Sequence, residues 1–405
     1  MPQRSVVMIG SSLVVASLAL AGCGSRDAGS SDSGSGSSSD KVAKIGVIAP
    51  LSGDLSALGL GIQHSVELAV KEANEKKAIP GWTLEVEAVD DEAKPDVGKN
   101  AATKLSGDDA VVGVVGNLNS SVALQTQPVF ATAKIVQVSP ANTNPALTKG
   151  TDSKRLFETY FRTCTTDAVQ GPFAAQYLLG AGIKKVATVH DKKAYGQGLV
   201  EAFTAEFKKG GGEIVTAQTI NADDTSKDYS SVVAAIKPTA PQAVYYGGEY
   251  PQAGPFSQQM KGNGLNVPLM GGDGIYDPKY IELATDTSKG DLSTSVGAPT
   301  ESTDAGKTFL SSYEKAGYKE PAAAYGGYSY DAANAIIEAL KTSLKDAKDP
   351  KSAREATIKA MSSVSFEGVT GKVGFDEFGD AVSRVLTVYK VDGGKWVADK
   401  TDTFK

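Results

Sequence analysis

The sequence predicts an α/β protein of two lobes, each built on a mainly parallel sheet with helices on both faces. Three observations carry this. Short β-branched runs alternate with amphipathic stretches from Lys41 onward; the runs are apolar almost throughout; and the alternation occurs as two successive series that part near residues 162–167. Strands alternating with helices of about a dozen residues make βαβ units. Strands without polar alternation belong to sheets covered on both sides. A chain of 405 residues has room for two or three domains of about 100–200 residues.

The first series has strand candidates at 44–50, 83–90, 110–116 and 134–139, the second at 185–190, 212–220, 243–248 and 267–272. Helical patterns lie between them. In "HSVELAVKEAN" the apolar residues Val66, Ala69, Val70 and Ala73 recur at i, i+3, i+4 and i+7, one buried stripe. Helices are also expected at 196–208, 228–237 and 251–262. After "DLSTSVGAP" (291–299) come helical stretches at 302–316, 328–347 and 351–361, then strand-like "GKVGFD" and "RVLTVYKV". Pattern alone does not distribute these late elements between the lobes.

The N-terminus predicts export. "MPQR" is a short cationic start, "SVVMIGSSLVVASLALA" an apolar run, and "LAGC" places small residues before Cys23. This is the pattern of a bacterial lipoprotein signal peptide over residues 1–22, with Cys23 as the lipidated first residue of the mature chain. The run falls short of the ~20 apolar residues a membrane span needs. Residues 23–40 then form a Gly/Ser-rich linker, a flexible coil reaching about 20–25 Å. With Cys23 taken by lipid, Cys164 has no disulfide partner. It is a buried filler or a reactive thiol.

Composition excludes several classes. A net charge of −6 leaves no basic footprint for nucleic acid. Two histidines, His64 and His190, and no Cys/His cluster make a metal site improbable. No nucleophile elbow or phosphate loop occurs in the body of the chain, and "GLGIQH" lacks the third glycine of a dinucleotide fingerprint. No catalytic residue and no cofactor is expected. The loops after the strands are instead rich in hydroxyls, amides, tyrosines and isolated carboxylates, as in "GNLNSS" (116–121), "SPANTNP" (139–145), "GGEYPQAG" (247–254) and "GGDGIYDP" (271–278). In parallel sheets such loops bind small polar ligands. Locally, Ser120 is also a competent helix N-cap, Asp273–Gly274 a plain turn, and Tyr195 and Tyr325 surface aromatics.

With these loops in hand the chain resembles the leucine/isoleucine/valine-binding proteins of bacterial ABC importers. The matching segments, in order, are "PLSG", "SPANTNPALT", "VHDKKAYGQGL", "VYYGGEYPQAG", "MGGDG" and "GKVGFDEFGD". The resemblance implies a type I periplasmic binding protein fold: two Rossmann-like lobes joined by three crossovers near 163, 297 and 381. Lobe 1 would hold 41–163 plus 298–381, lobe 2 164–297 plus 382–405. Ser120 would hold a ligand α-carboxylate, and Ala141 and Thr143 would contact carboxylate and ammonium. Tyr195 would reach across the cleft, Asp273 would pair with the α-ammonium, and Tyr325 would form a side-chain wall. Leu58 and Glu249 stand where the family carries aromatic residues. Glu249 would bond a backbone amide, pair with a lysine or contact a polar or cationic ligand group, with Tyr250 available to replace the lost ring. Asn119 and Ser121 have no role in this pattern beyond turn chemistry.

The implied protein is a monomeric solute-binding lipoprotein on the outer face of the cytoplasmic membrane. It would capture an amino acid, branched-chain or similar, and deliver it to ABC permease subunits. The rival readings are a same-fold binder or sensor of amides, urea or aromatic acids, and a secreted α/β enzyme.

Overall fold

A computed structural model describes residues 41–150 and 154–404; the signal peptide, Cys23 and the linker lie outside the described residues. Five strands make the first sheet: β1 (Lys41–Ala49), β2 (Trp82–Asp90), β3 (Val111–Gly116), β4 (Val136–Ser139) and β5 (Tyr160–Arg162), all parallel, in the order β2-β1-β3-β4-β5. The second sheet repeats this order with β6 (Lys185–His190), β7 (Glu213–Thr219), β8 (Ala243–Gly247), β9 (Leu269–Gly271) and β10 (Leu292–Thr294) as β7-β6-β8-β9-β10. A small hairpin, β11 (Ser365–Gly368) with β12 (Gly371–Gly374), stands apart. Two late strands, β13 (Val385–Asp392) and β14 (Lys395–Thr403), extend the second sheet antiparallel beyond β10.

The apolar runs explain this architecture. Every residue of β3 and β8 is buried, as sandwiching between helix layers requires. Helices α1 (Ser56–Glu75), α2 (Pro95–Gly107) and α3 (Ser120–Ala133) alternate with strands β1 to β4, and α4 (Asp167–Gly180), α5 (Ala194–Lys209), α6 (Ser230–Ile236), α7 (Tyr250–Gly262) and α8 (Pro278–Ala284) accompany the second series. The stripe expected on α1 is buried at Val66, Ala69, Val70 and Ala73.

The late elements, ambiguous by pattern, divide by packing. Helices α9 (Asp304–Ala316), α10 (Gly326–Ser343) and α11 (Pro350–Met361) pack with α1, β3 and β4, whereas β13 contacts α4 and pairs with β10. The chain therefore passes between the two sheets three times: after β5, after β10 and before β13. Cys164, at the first passage, is fully buried with its thiol donating to the carbonyl of Asn142 at 3.4 Å. Burial raises its pKa well above the ordinary range, the state of an inert filler. Among the described residues no helix is long and apolar enough to cross a membrane.

Candidate functional site

In both sheets the strand order reverses beside the first strand of the series, and ligands bind at the carboxyl edge of such switch points. The loops leaving β3, β4, β6, β8 and β9 meet there with the N-terminal ends of α1 and α10. They enclose a narrow cavity with about 290 Å³ of atom-free space. Of the eight residues expected at the site, Leu58, Ser120, Ala141, Tyr195, Glu249, Asp273 and Tyr325 line it. Thr143 does not. It sits buried behind the lining, where its carbonyl accepts from the amide of Asp167 at 2.8 Å and its hydroxyl has no hydrogen-bond partner. Leu118, Asn119 and Gly274 join the lining although sequence reasoning did not select them.

Backbone geometry aims the site loops. Gly116 ends β3 at φ +134°, and a Cβ there would lie 2.1 Å from the carbonyl oxygen of Ile48. Only glycine allows the chain to turn so close to β1. The next residue, Asn117, fastens the turn from below. Its Nδ2 donates to Asp91 at 2.9 Å, and its Oδ1 accepts from Thr126 at 2.7 Å and Gln137 at 3.1 Å. Asn142 holds the far side by donating to the Leu118 carbonyl at 2.7 Å.

Ser120 then opens α3 as its first residue, with Asn119 as N-cap. The capping role is absent: neither side chain makes a cap bond, and the Ser120 hydroxyl is buried without a partner. A 14-residue helix presenting its N-terminus and a free hydroxyl to a cavity favours an anion.

The cationic counterpart is prepared around Asp273, just after β9. Its carboxylate accepts from Gln170 Nε2 and the Tyr195 hydroxyl at 2.9 Å each, and from the Tyr325 hydroxyl at 2.6 Å. All three partners are neutral. Burial pushes the Asp273 carboxyl above its usual range, and the three donors pull it back. A buried carboxylate held only by neutral donors is stabilised further by an incoming cation. Gln170 is itself oriented, its Oε1 accepting from the Asp273 amide at 2.9 Å and from Thr294 at 2.8 Å.

Glu249, the departure from the expected aromatic, follows Gly248, whose φ of +151° sets the turn out of β8. The carboxylate accepts from Asn119 Nδ2 at 2.7 Å and stands 3.7 Å from Lys193 Nζ. Asn119 is therefore more than turn chemistry: it bonds across the cleft to a residue 130 positions away. Tyr250 does not replace the missing ring. Its hydroxyl bonds the Asp54 carbonyl instead, and it is absent from the lining.

A model of periplasmic binding proteins matches residues 42–395. The chain belongs to the periplasmic binding protein family. This binding protein is 33% identical over 355 residues to the Leu/Ile/Val-binding protein BraC3 of Rhizobium johnstonii, covering 87% of this chain and 93% of that one. Among solved structures it is similar to a leucine binding protein, LivK, of Thermotoga maritima (26% identity, TM-score 0.78, 89% and 99% of the two chains). It is likewise similar to the branched-chain amino acid transporter substrate binding protein LivJ of Streptococcus pneumoniae in complex with isoleucine (27%, TM-score 0.79, 90% and 99%). The two-lobed type I fold expected from the sequence is thus the fold of its relatives.

Proposed function

We propose that this binding protein captures an amino acid between its lobes and delivers it to the membrane subunits of an ABC importer. The supporting observation is one cavity with complementary ends: the free Ser120 hydroxyl on the α3 N-terminus, and the buried Asp273 carboxylate among neutral donors. A zwitterion satisfies both at once. The α-carboxylate takes the helix end and the α-ammonium takes Asp273, with Ala141 at the carboxylate side and Thr143 behind it. Leu58, Leu118 and the rings of Tyr195 and Tyr325 enclose the rest of the ligand, branched-chain or similar. The names of the relatives point the same way.

The lobes of this reading are 41–163 plus 298–381 and 164–297 plus 382–405, closing by a hinge at the three chain passages. The protein acts as a monomer without catalysis, held at the outer membrane face through lipidated Cys23. Calorimetric titration with the twenty amino acids, simple amides, urea and benzoate tests the proposal. Micromolar binding of at least one amino acid, recovered unchanged, is expected. Binding confined to ligands without an α-ammonium group, or turnover of the ligand, would refute it.

A further inference from the structure

One acceptor in the cavity has nothing to accept. Glu249 and Asn119 are 5% and 4% exposed, and both face the cavity. One carboxylate oxygen of Glu249 takes the Asn119 amide N–H, which dictates the orientation of that amide. This leaves Asn119 Oδ1 shielded from solvent with no hydrogen-bond partner, while Glu249 Oε2 takes the proton that burial keeps on the neighbouring Asp191 carboxyl. Lys193 Nζ, at 3.7 Å from Oε2, balances charge but is too far to donate. The neighbouring wall is apolar, formed by Leu58 and Leu118.

We propose that Asn119, its amide oriented by Glu249, selects ligands whose side chain carries a short neutral hydrogen-bond donor, a hydroxyl or a carboxamide. The proposal rests on the amino-acid reading above and names the class of side chain within it. A purely aliphatic side chain would bury this acceptor dry, and buried polar atoms in folded proteins are almost always paired. A side-chain O–H or N–H that reaches Asn119 Oδ1 completes it. Sites built to hydrogen-bond a ligand group discriminate strongly against the isostere that lacks it. The donor is neutral because the local charge is already met. Lys193 faces Glu249, and the adjacent Asp191 carboxyl is held well above the usual carboxylate range by burial and by the Glu249 charge. No uncompensated negative charge remains to offset the desolvation of a lysine or arginine side chain.

The isosteric pairs threonine/valine and asparagine/leucine test this on the intact protein, titrated by calorimetry. Threonine over valine and asparagine over leucine by tenfold or more is expected. In Glu249→Leu both preferences should shrink or reverse, while Asp273→Asn should weaken all four ligands alike. Valine and leucine binding as tightly as their polar isosteres in the unaltered protein would overturn the proposal and leave the amino-acid reading standing. Failure of every amino acid to bind would overturn both.

Discussion

The Tyr325 hydroxyl donates a 2.6 Å hydrogen bond to Asp273 from the N-terminus of α10, on the opposite side of the cleft from β9. Asn119 and Glu249 span the same gap, as does Asn144 Nδ2, which donates to the Ala194 carbonyl at 2.6 Å. These three bonds tie loops of one sheet to elements of the other across the cavity, so the residues that form the cavity also hold its two sides together.

Tyr325→Phe removes one of these ties and a donor to a charged group. A loss of about 1.5–3 kcal/mol, or roughly 10- to 100-fold in affinity, is expected. If closure follows the proposed hinge, this bond forms only in the closed state and the loss should fall mainly on the dissociation rate. Stopped-flow fluorescence separates the two rates, and an unchanged off-rate would contradict the assignment.

Ser120→Ala separates ligand binding from capping. The hydroxyl makes no cap bond, so unfolding stability should move by less than about 0.5 kcal/mol, where loss of a working cap costs about 1 kcal/mol. Affinity for an amino acid should nevertheless fall about tenfold. Urea denaturation beside calorimetry checks the pair of outcomes.

Asn117→Ala should behave in the opposite way. It strips partners from Asp91, Thr126 and Gln137 inside the protein. Destabilisation of about 1–3 kcal/mol is expected, since Asp91 Oδ2 loses its partner while Thr126 and Gln137 keep others. A variant as stable as the parent would show that the network does not brace the site loop.

Asp91 gives a pH signature. Burial raises its pKa from 3.8 to about 6, opposed by the bonds from Asn117 and the Ala93 amide. The folded chain therefore binds this proton more tightly than the unfolded chain. The stability Asp91 contributes is complete below about pH 4 and declines as pH rises through 6, on the order of 3 kcal/mol in all. NMR titration should place its midpoint near 6, and Asn117→Ala should move it higher. A midpoint near 4 in the parent would refute the burial argument.

Among the described residues Arg162 is the most buried cation. It is fully enclosed, with Nε donating to Asp380 at 2.7 Å and the other nitrogens to the Asn142 carbonyl at 2.6 Å and Thr148 at 2.6 Å. It thus joins the end of β5 to the segment leading into β13. Asp380→Ala leaves the guanidinium unpaired and should cost about 3–5 kcal/mol. Thermal unfolding reads this directly.

Most of the fold was legible because periodicity and apolar runs report burial locally. The strands at 185–190 and 243–247 fall almost where the runs do. The strand β14, "KWVADKTDT", was not legible: nearly every residue is exposed, and it is a strand only because it pairs with β13. Strands as short as β5 are likewise defined by their partners.

Within the site, the two asparagines of "GNLNSS" look alike in one dimension. The sequence by itself determined the alternation of strands and helices, the polar loops at the strand ends and seven of the cavity-lining residues. Tertiary structure alone decided that Asn117 turns inward to brace the loop, that Asn119 turns outward to Glu249, and that Thr143 stays behind the wall. The Asn117–Asp91 and Asn119–Glu249 bonds join residues 26 and 130 positions apart, and a side chain's neighbours at that distance are set by the packing of the sheets.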